Sequence, residues 1–318
     1  MTAILNQHDN YHQAEQAYNF PLLIKNLLTR SRVVSGQQTL HFADHDACTY
    51  HDFFKKINRL ANTLKNLNLE KGSVIAVMDW DTPRYLACYF AIPMCGYILQ
   101  TVNVRLSEDK VLYTLNHAKP KVLLLNSEFA PMIKNHQFDV PSVEHVIWLD
   151  DQGIAAPDYT VGEYEALLGQ ASDVYEYEDF DENTIATTFY TSGTTGNPKG
   201  VFFTHRQIVL NSLAVASAVA LNTGNNGLRF DDVYMPMTPM FHVHAWGMPY
   251  VATMIGLKQV YPGRYAADTL VDLIEKYHVT VTHGVPTILQ MLLAEMGKRG
   301  GKFSNLKMII GGSKLNEG

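Results

Sequence analysis

The stretch YTSGTTGNPKGVFFTH, Tyr190 to His205, puts three glycines, five Ser/Thr hydroxyls, one proline and one lysine into sixteen residues. Many small donors and one cation at a single bend are suited to holding an anion. Gly193 and Gly196 allow positive φ and a close approach of backbone to ligand. Successive N–H groups in such a turn form an anion-binding concavity. Thr191, Ser192, Thr194 and Thr195 add hydroxyl donors. Pro198 holds Asn197 extended, and Lys199 supplies a compact positive charge. Each hydrogen bond to a charged phosphate oxygen contributes about 1.5–3 kcal/mol, so the set suits a polyphosphate. The pattern is not a Walker A loop, because only two residues separate Gly193 from Gly196 and Gly200 follows Lys199. Nor is it G-x-G-x-x-G. A flexible linker also collects Gly, Ser and Thr, but it has no need of Pro198-Lys199.

Two further clusters carry chemistry-bearing types. Phe241-His242-Val243-His244-Ala245-Trp246 places two imidazoles two residues apart beside two aromatics. No nearby Cys or carboxylate completes a metal site around them. Read from the residues alone, the histidines also suit a surface and Trp246 also suits a core. Gly311-Gly312-Ser313 follows an apolar run, and two glycines at a strand end let a flat ligand approach the backbone. A bare Gly-Gly-Ser is a weak signal.

The elements that must position these residues alternate. SVIAVMD reads as a buried strand and TPRYLACYFAI as a helix with Pro83 in its first turn. YILQTVNV reads as a strand, SEDKVLYTLNHA as a helix that Ser107 caps, and KVLLLN and HVIWLD as strands. Thr160 and Glu163 have capping-box spacing for a short helix. IATTFY is a strand that feeds the glycine-hydroxyl loop. Thr204 and Gln207 again have capping-box spacing, so the loop should lie between a strand and a helix from about His205 to Ala220. VYMPM, LKQVYP, VTVTHG and LKMIIGG read as strands; ADTLVDLIEKYH and PTILQMLLAEM, the latter from Pro286, read as helices. This rhythm predicts an α/β fold of two packed subdomains with mainly parallel sheets flanked by helices, residues 1–175 and 176–318. No internal repeat is visible.

Composition narrows the class. The 318 residues are 47% hydrophobic and 18% charged, with a formal net charge of −6, which argues against nucleic acid as a partner. Three cysteines without a C-x-x-C fit a reducing compartment, and no signal-peptide core precedes the fold, so a cytoplasmic protein is expected. The most apolar run, Tyr85 to Leu99, is interrupted by Pro93 and Gly96 and is short for a transmembrane segment.

YTSGTTGNPKGV resembles the signature loop of the AMP-forming acyl-CoA synthetases, a superfamily that also holds luciferases and peptide-synthetase adenylation domains. VNVRLSEDKVLYTLNHAKPKVLL, PMFHVHAWGMPYVATMIGLKQVYPG, VTHGVPTILQMLL and IIGGSKL resemble further segments of it, so the likeness spans the chain from about residue 20. It is nearest to the medium- and long-chain fatty acyl-CoA ligases. The resemblance implies that Thr191, Ser192, Gly193, Thr194, Thr195, Gly196 and Lys199 hold the phosphates of ATP, and that Thr191 also meets Mg²⁺. It implies that His242 acts beside the acyl carboxylate and the α-phosphate. Val243, Gly312 and Ser313 would border the nucleotide, and Trp246 and Gly311 the acyl group. Coenzyme A would be the acceptor and a fatty acid the substrate, with an aryl or short-chain acid as the alternative. A homodimer is left open.

Members of that superfamily carry more after the GGSKL-type motif: an aromatic-Gly-x-Thr-Glu segment, an aspartate for the ribose, a small barrel and a mobile domain with a catalytic lysine. The sequence through Gly318 contains none of these. Residues 1–318 are therefore expected to correspond to the N-terminal part of a ligase and to be inactive alone. A non-catalytic nucleotide-binding or dimerisation module is the competing expectation.

Overall fold

The computed structural model describes residues 17–44, 46–134, 139–191, 196–221, 227–303 and 305–312. Two mainly parallel sheets organise them. The first has seven strands, β3 (Val74–Met78), β4 (Ile98–Thr101), β5 (Val122–Asn126), β6 (His145–Leu149), β7 (Gly162–Glu163), β8 (Ile185–Thr191) and β9 (Lys199–Thr204), in the order β7-β6-β5-β3-β4-β8-β9. The second has six, β1 (Thr39–Phe42), β2 (Asp46–Thr49), β10 (Val233–Pro236), β11 (Lys258–Tyr261), β12 (Val281–Gly284) and β13 (Lys307–Ile310), in the order β13-β12-β10-β11-β1-β2. Only the β8–β9 and β1–β2 pairs are antiparallel.

The helices are α1 (Thr29–Val34), α2 (Tyr50–Lys65), α3 (Pro83–Met94), α4 (Glu108–Ala118), α5 (Ala130–Lys134), α6 (Tyr164–Gln170), α7 (His205–Ala220), α8 (Met248–Ile255), α9 (Ala267–Tyr277) and α10 (Pro286–Arg299). Every residue of α3 from Tyr85 to Met94 is buried. A helix apolar on all sides belongs inside a protein, and α3 lies between the halves. The Tyr89 hydroxyl donates to the Met240 carbonyl, and the Tyr250 hydroxyl of α8 donates to the Tyr89 carbonyl. Thr82 caps α3 and Pro83 opens it, as its sequence predicts. Among the described residues no helix is long and apolar enough to cross a membrane.

The sheets do not divide at residues 175 and 176. β8 and β9 continue the first sheet, and the early hairpin β1–β2 crosses to the second. Two cap readings also change. Ser107 sits at the N-cap of α4 without making a side-chain cap bond, and Glu163, not Thr160, caps α6 by accepting the Ala166 N–H at 2.9 Å. The Thr204–Gln207 capping box of α7 is present in full.

Candidate active site

The glycine-hydroxyl loop joins two antiparallel strands rather than a strand and a helix. Lys199 begins β9, directly opposite Thr191 at the end of β8. The expected strand-to-helix junction is absent because residues 199–204 pair back along β8 before the helix begins. Thr191 is half-buried, and its hydroxyl lies 3.5 Å from the Lys199 carbonyl, a marginal contact that leaves its oxygen available. The Lys199 side chain is exposed, and its ammonium has no hydrogen-bond or ion-pair partner among the described residues. Gly196 has φ of 105° with open space where a Cβ would point. Ser192, Gly193, Thr194, Thr195 and Ser313 lie outside the described residues.

The second cluster follows β10. The chain turns at Pro239, whose carbonyl accepts the His242 N–H at 2.9 Å. Residues 243–247 then wind left-handed: Val243, His244, Ala245, Trp246 and Gly247 have φ of 47°, 52°, 48°, 57° and 77°. Each non-glycine residue in that conformation costs roughly 1–2 kcal/mol, and a β-branched valine there is a true outlier. Such strain persists only where surroundings over-determine it, and it clusters at functional sites. Here Thr101 donates to the Phe241 carbonyl at 3.2 Å, and Asp81 accepts the Met240 N–H at 2.9 Å. At Gly247, φ of 77° favours glycine, and a Cβ there would come within 2.7 Å of the Asn211 amide nitrogen, so that exposed side chain would have to shift.

The turn sorts its side chains. His242 is exposed, yet the protein around its ring desolvates the cation and holds its pKa below the ordinary imidazole value. Val243 is half-buried. His244 points inward against Tyr89, Phe189 and Phe203, at ring separations of 5.7, 5.3 and 6.0 Å. Both of its nitrogens lack partners among the described residues, and burial pushes its pKa down to about 3. Through Phe189 and Phe203 the turn rests on the hairpin that carries the loop. Trp246 packs against His283 of β12 at 5.4 Å, and a Cβ on Gly311 would meet its ring at 3.1 Å. Gly312 has φ of 85° beside Val285. Thus Trp246 and Gly311 meet at the carboxyl ends of β10, β12 and β13. Ligands bind at that edge of α/β sheets, where the strand order reverses; here β11 and β12 lie on opposite sides of β10.

Several neighbours escape a reading by motif. His283 bonds to the Tyr234 hydroxyl at 2.8 Å and the Thr238 hydroxyl at 3.2 Å. Arg105 lies over the rings of Trp80, Phe241 and Tyr265 at 6.0, 5.9 and 5.5 Å. Asp81 bonds Tyr265. Arg105 and His283 lie in segments that carry the family likeness without a role being marked there, and Asp81 lies in none; Asp81 and Arg105 follow β3 and β4 of the first sheet, and His283 is near the end of β12 in the second. Among the described residues no group of three His, Cys, Asp or Glu side chains could hold a metal.

Comparison with known proteins accords with this geometry. The chain is 35% identical over 301 residues to a 3-methylmercaptopropionyl-CoA ligase of Ruegeria lacuscaerulensis, covering 92% of this chain and 55% of the relative. It is 38% identical to a medium-chain-fatty-acid–CoA ligase of Ectopseudomonas oleovorans, covering 81% and 47%, and 37% identical to a long-chain-fatty-acid–CoA ligase of Thermus thermophilus, covering 90% and 51%. The chain thus spans about half the length of these relatives. In fold it matches the crystal structure of an anthranilate CoA ligase with anthranoyl-AMP, with a TM-score of 0.81 at 22% identity over 92% of this chain and 55% of that one. It also matches a long-chain-fatty-acid-CoA ligase of Archaeoglobus fulgidus, with a TM-score of 0.81 at 21% identity over 96% and 61%. A family model described as AMP-binding enzyme matches residues 29–318, and the chain belongs to that family.

Proposed function

We propose that this chain forms the nucleotide- and acyl-binding part of an AMP-forming ligase that activates a fatty acid as its acyl-adenylate for transfer to coenzyme A. The observation that supports this best is the strained turn, which sets His242 outward and Trp246 against Gly311, resting on the hairpin that bears Lys199. When ATP is bound it supplies the electrophilic α-phosphorus and the pyrophosphate leaving group. Lys199, exposed and unpartnered among the described residues, neutralises charge on the departing phosphates. His242, held toward its neutral form, donates a hydrogen bond beside the carboxylate and α-phosphate without trapping them as an ion pair. Trp246 closes the acyl side, with Gly311 leaving room for its ring. Val243, Gly312 and Ser313 border the nucleotide. Thr191 is the one described residue offered to Mg²⁺, which takes oxygen ligands, and one hydroxyl is too little to define a site. Three free cysteines suit a reducing cytoplasm.

The test has two parts. Fatty-acid-dependent release of pyrophosphate and formation of a thioester are measured for the complete reading frame that contains residues 1–318, and turnover is expected. Residues 1–318 alone, given ATP, Mg²⁺, a medium-chain fatty acid and coenzyme A, are expected to yield neither AMP nor thioester, because catalytic geometry tolerates little looseness. Turnover by the complete protein with benzoate but not with octanoate would replace the fatty acid by an aryl acid.

A further inference from the structure

Asp81 is almost wholly buried, at 1% exposure, and no Lys or Arg pairs with it among the described residues. It follows β3 of the first sheet, yet all its partners belong to the second half. Its Oδ1 accepts the Met240 N–H at 2.9 Å, its Oδ2 accepts the Tyr265 hydroxyl at 2.6 Å, and its main-chain carbonyl accepts the Gly263 N–H at 2.9 Å. Met240 follows β10, and Gly263 and Tyr265 follow β11. One residue therefore pins the ends of three strands from two sheets. Burying an unpaired carboxylate is expensive. That cost is unnecessary for packing, since an apolar residue of similar size would fill the space.

The bond to Met240 gives the carboxylate a use. Met240 is two residues before His242 and three before the left-handed turn, and its own carbonyl is held by Tyr89. Asp81 and Tyr89 together fix both ends of that residue, so the strained turn starts from a rigid point. We propose that Asp81 is a positioning residue of the candidate active site, holding Met240 and Tyr265 so that His242 and Trp246 project correctly; this rests on the reading of those two residues given above.

Burial also pushes the Asp81 carboxyl up to about 7, against the lowering effect of its bonds to Tyr265 and Met240. The charged groups that face it are Arg105, which lowers it, and Asp79, which raises it. Its other ionisable neighbours are the buried tyrosines 85, 89, 234 and 261, all held neutral. Protonated, Asp81 keeps the Met240 bond through its carbonyl oxygen and reverses the bond to Tyr265. Asp81→Asn imitates that form: its carbonyl accepts from Met240 and its amide donates to the tyrosine. Asp81→Ala keeps neither.

The experiment follows the His242 imidazole and the Met240 amide by NMR in the unliganded 318-residue chain, apart from any ligase activity. In the parent, the Met240 amide shift should titrate with a midpoint near 7, and in Asp81→Asn this step should vanish while the His242 signal stays in place. In Asp81→Ala the His242 signal should move. In the complete enzyme kcat should fall up to about 100-fold for Asp81→Ala, with the KM for ATP little changed and most activity regained in Asp81→Asn. A His242 signal displaced in Asp81→Asn, which keeps both bonds, overturns the proposal even if the alanine variant fails to fold. So does an alanine variant that is merely less stable, with His242 unmoved.

Discussion

The two sheets share a topology. In the first, β3 is flanked by β4 and β5, with β6 beyond β5; in the second, β10 is flanked by β11 and β12, with β13 beyond β12. Each is extended past its second strand by an antiparallel hairpin, β8–β9 or β1–β2, and each hairpin precedes the other sheet's core in the chain. The equivalent crevices at the carboxyl edges are filled differently. After β3, Asp79 is fully buried and accepts from Thr82 at 2.9 Å, Asn126 at 2.8 Å and two Arg84 nitrogens at 2.8 and 2.9 Å. Arg84 continues to Asp151. None of Asp79, Thr82, Arg84, Asn126 and Asp151 leaves a buried polar atom unpartnered. After β10 stand a strained turn, an exposed imidazole and an orphaned one. The Asp79 cluster is matched within itself, whereas the second crevice retains an orphaned imidazole and strain. The topology places an equivalent crevice in each sheet, and the two differ in how their polar groups are partnered.

The largest effect should come from breaking the self-satisfied crevice. Arg84→Met leaves Asp79 buried without its cation, and removing one partner of a buried pair typically costs about 3–5 kcal/mol. Urea unfolding should show that loss, while the folded fraction keeps its catalytic constants. A loss below about 1 kcal/mol would mean that water or another group relieves Asp79.

Lys199→Ala makes the opposite cut. Its side chain is exposed and packs against nothing that stability needs, so the unfolding midpoint should hold. Pyrophosphate release by the complete enzyme should fall by about 2–4 kcal/mol of transition-state stabilisation, as for a lost oxyanion donor. Parent-like rates would remove Lys199 from the chemistry.

Much of this contrast is hidden from sequence, for identifiable reasons. Local signals were legible: the β-branched run of β3, Pro83 at the start of α3, and Thr204 with Gln207 at α7 all fold as their residues predict. Pairing across long separations was not. Nothing in residues 39–49 shows that they join a strand two hundred residues away. β9 was missed because Gly200 and an exposed Phe202 blur its alternation. The left-handed turn has no residue signature apart from Gly247, since its other four residues are imposed upon by their surroundings. Asp81 belongs to no motif, and His283, though inside the VTHG segment, has no role marked there; only three-dimensional proximity brings both to the turn.

The crevices should also differ in acid. Burial holds His244 and His283 down to about 3, against an ordinary value of 6.5, and holds His205 down to about 4. Between those limits the unfolded chain binds more protons, so stability is fully present above 6.5 and is lost as pH falls toward 3. The slope approaches about 1.4 kcal/mol per pH unit for each such group, or about 2 kcal/mol by pH 5. His283→Gln keeps a partner for Tyr234 and removes one proton site. Compared with the parent, it should lose about 2 kcal/mol less between pH 7 and pH 5. Equal slopes would show that His283 is already protonated in the fold.

An effect of similar size should appear at Trp246, where a site and a core make separable demands. The ring is half-buried against His283 and Gly311, so truncation should cost about half of the 3–5 kcal/mol expected for a buried aromatic. Its backbone, at φ of 57°, adds a second handle. Trp246→Ala keeps the strain, whereas Trp246→Gly relieves roughly 1 kcal/mol of it. Elsewhere in a helix glycine would be the worse choice, so a glycine variant at least as stable as the alanine one would show that the left-handed backbone exists in solution. Neither variant should weaken ATP binding. Both should alter kcat/KM across a series of fatty acids from C6 to C16, because a ring that closes the acyl side acts on chain length and not on the nucleotide. A flat change across the series, accompanied by a full 3–5 kcal/mol loss of stability, would return Trp246 to the core and leave the second crevice with one functional side chain fewer.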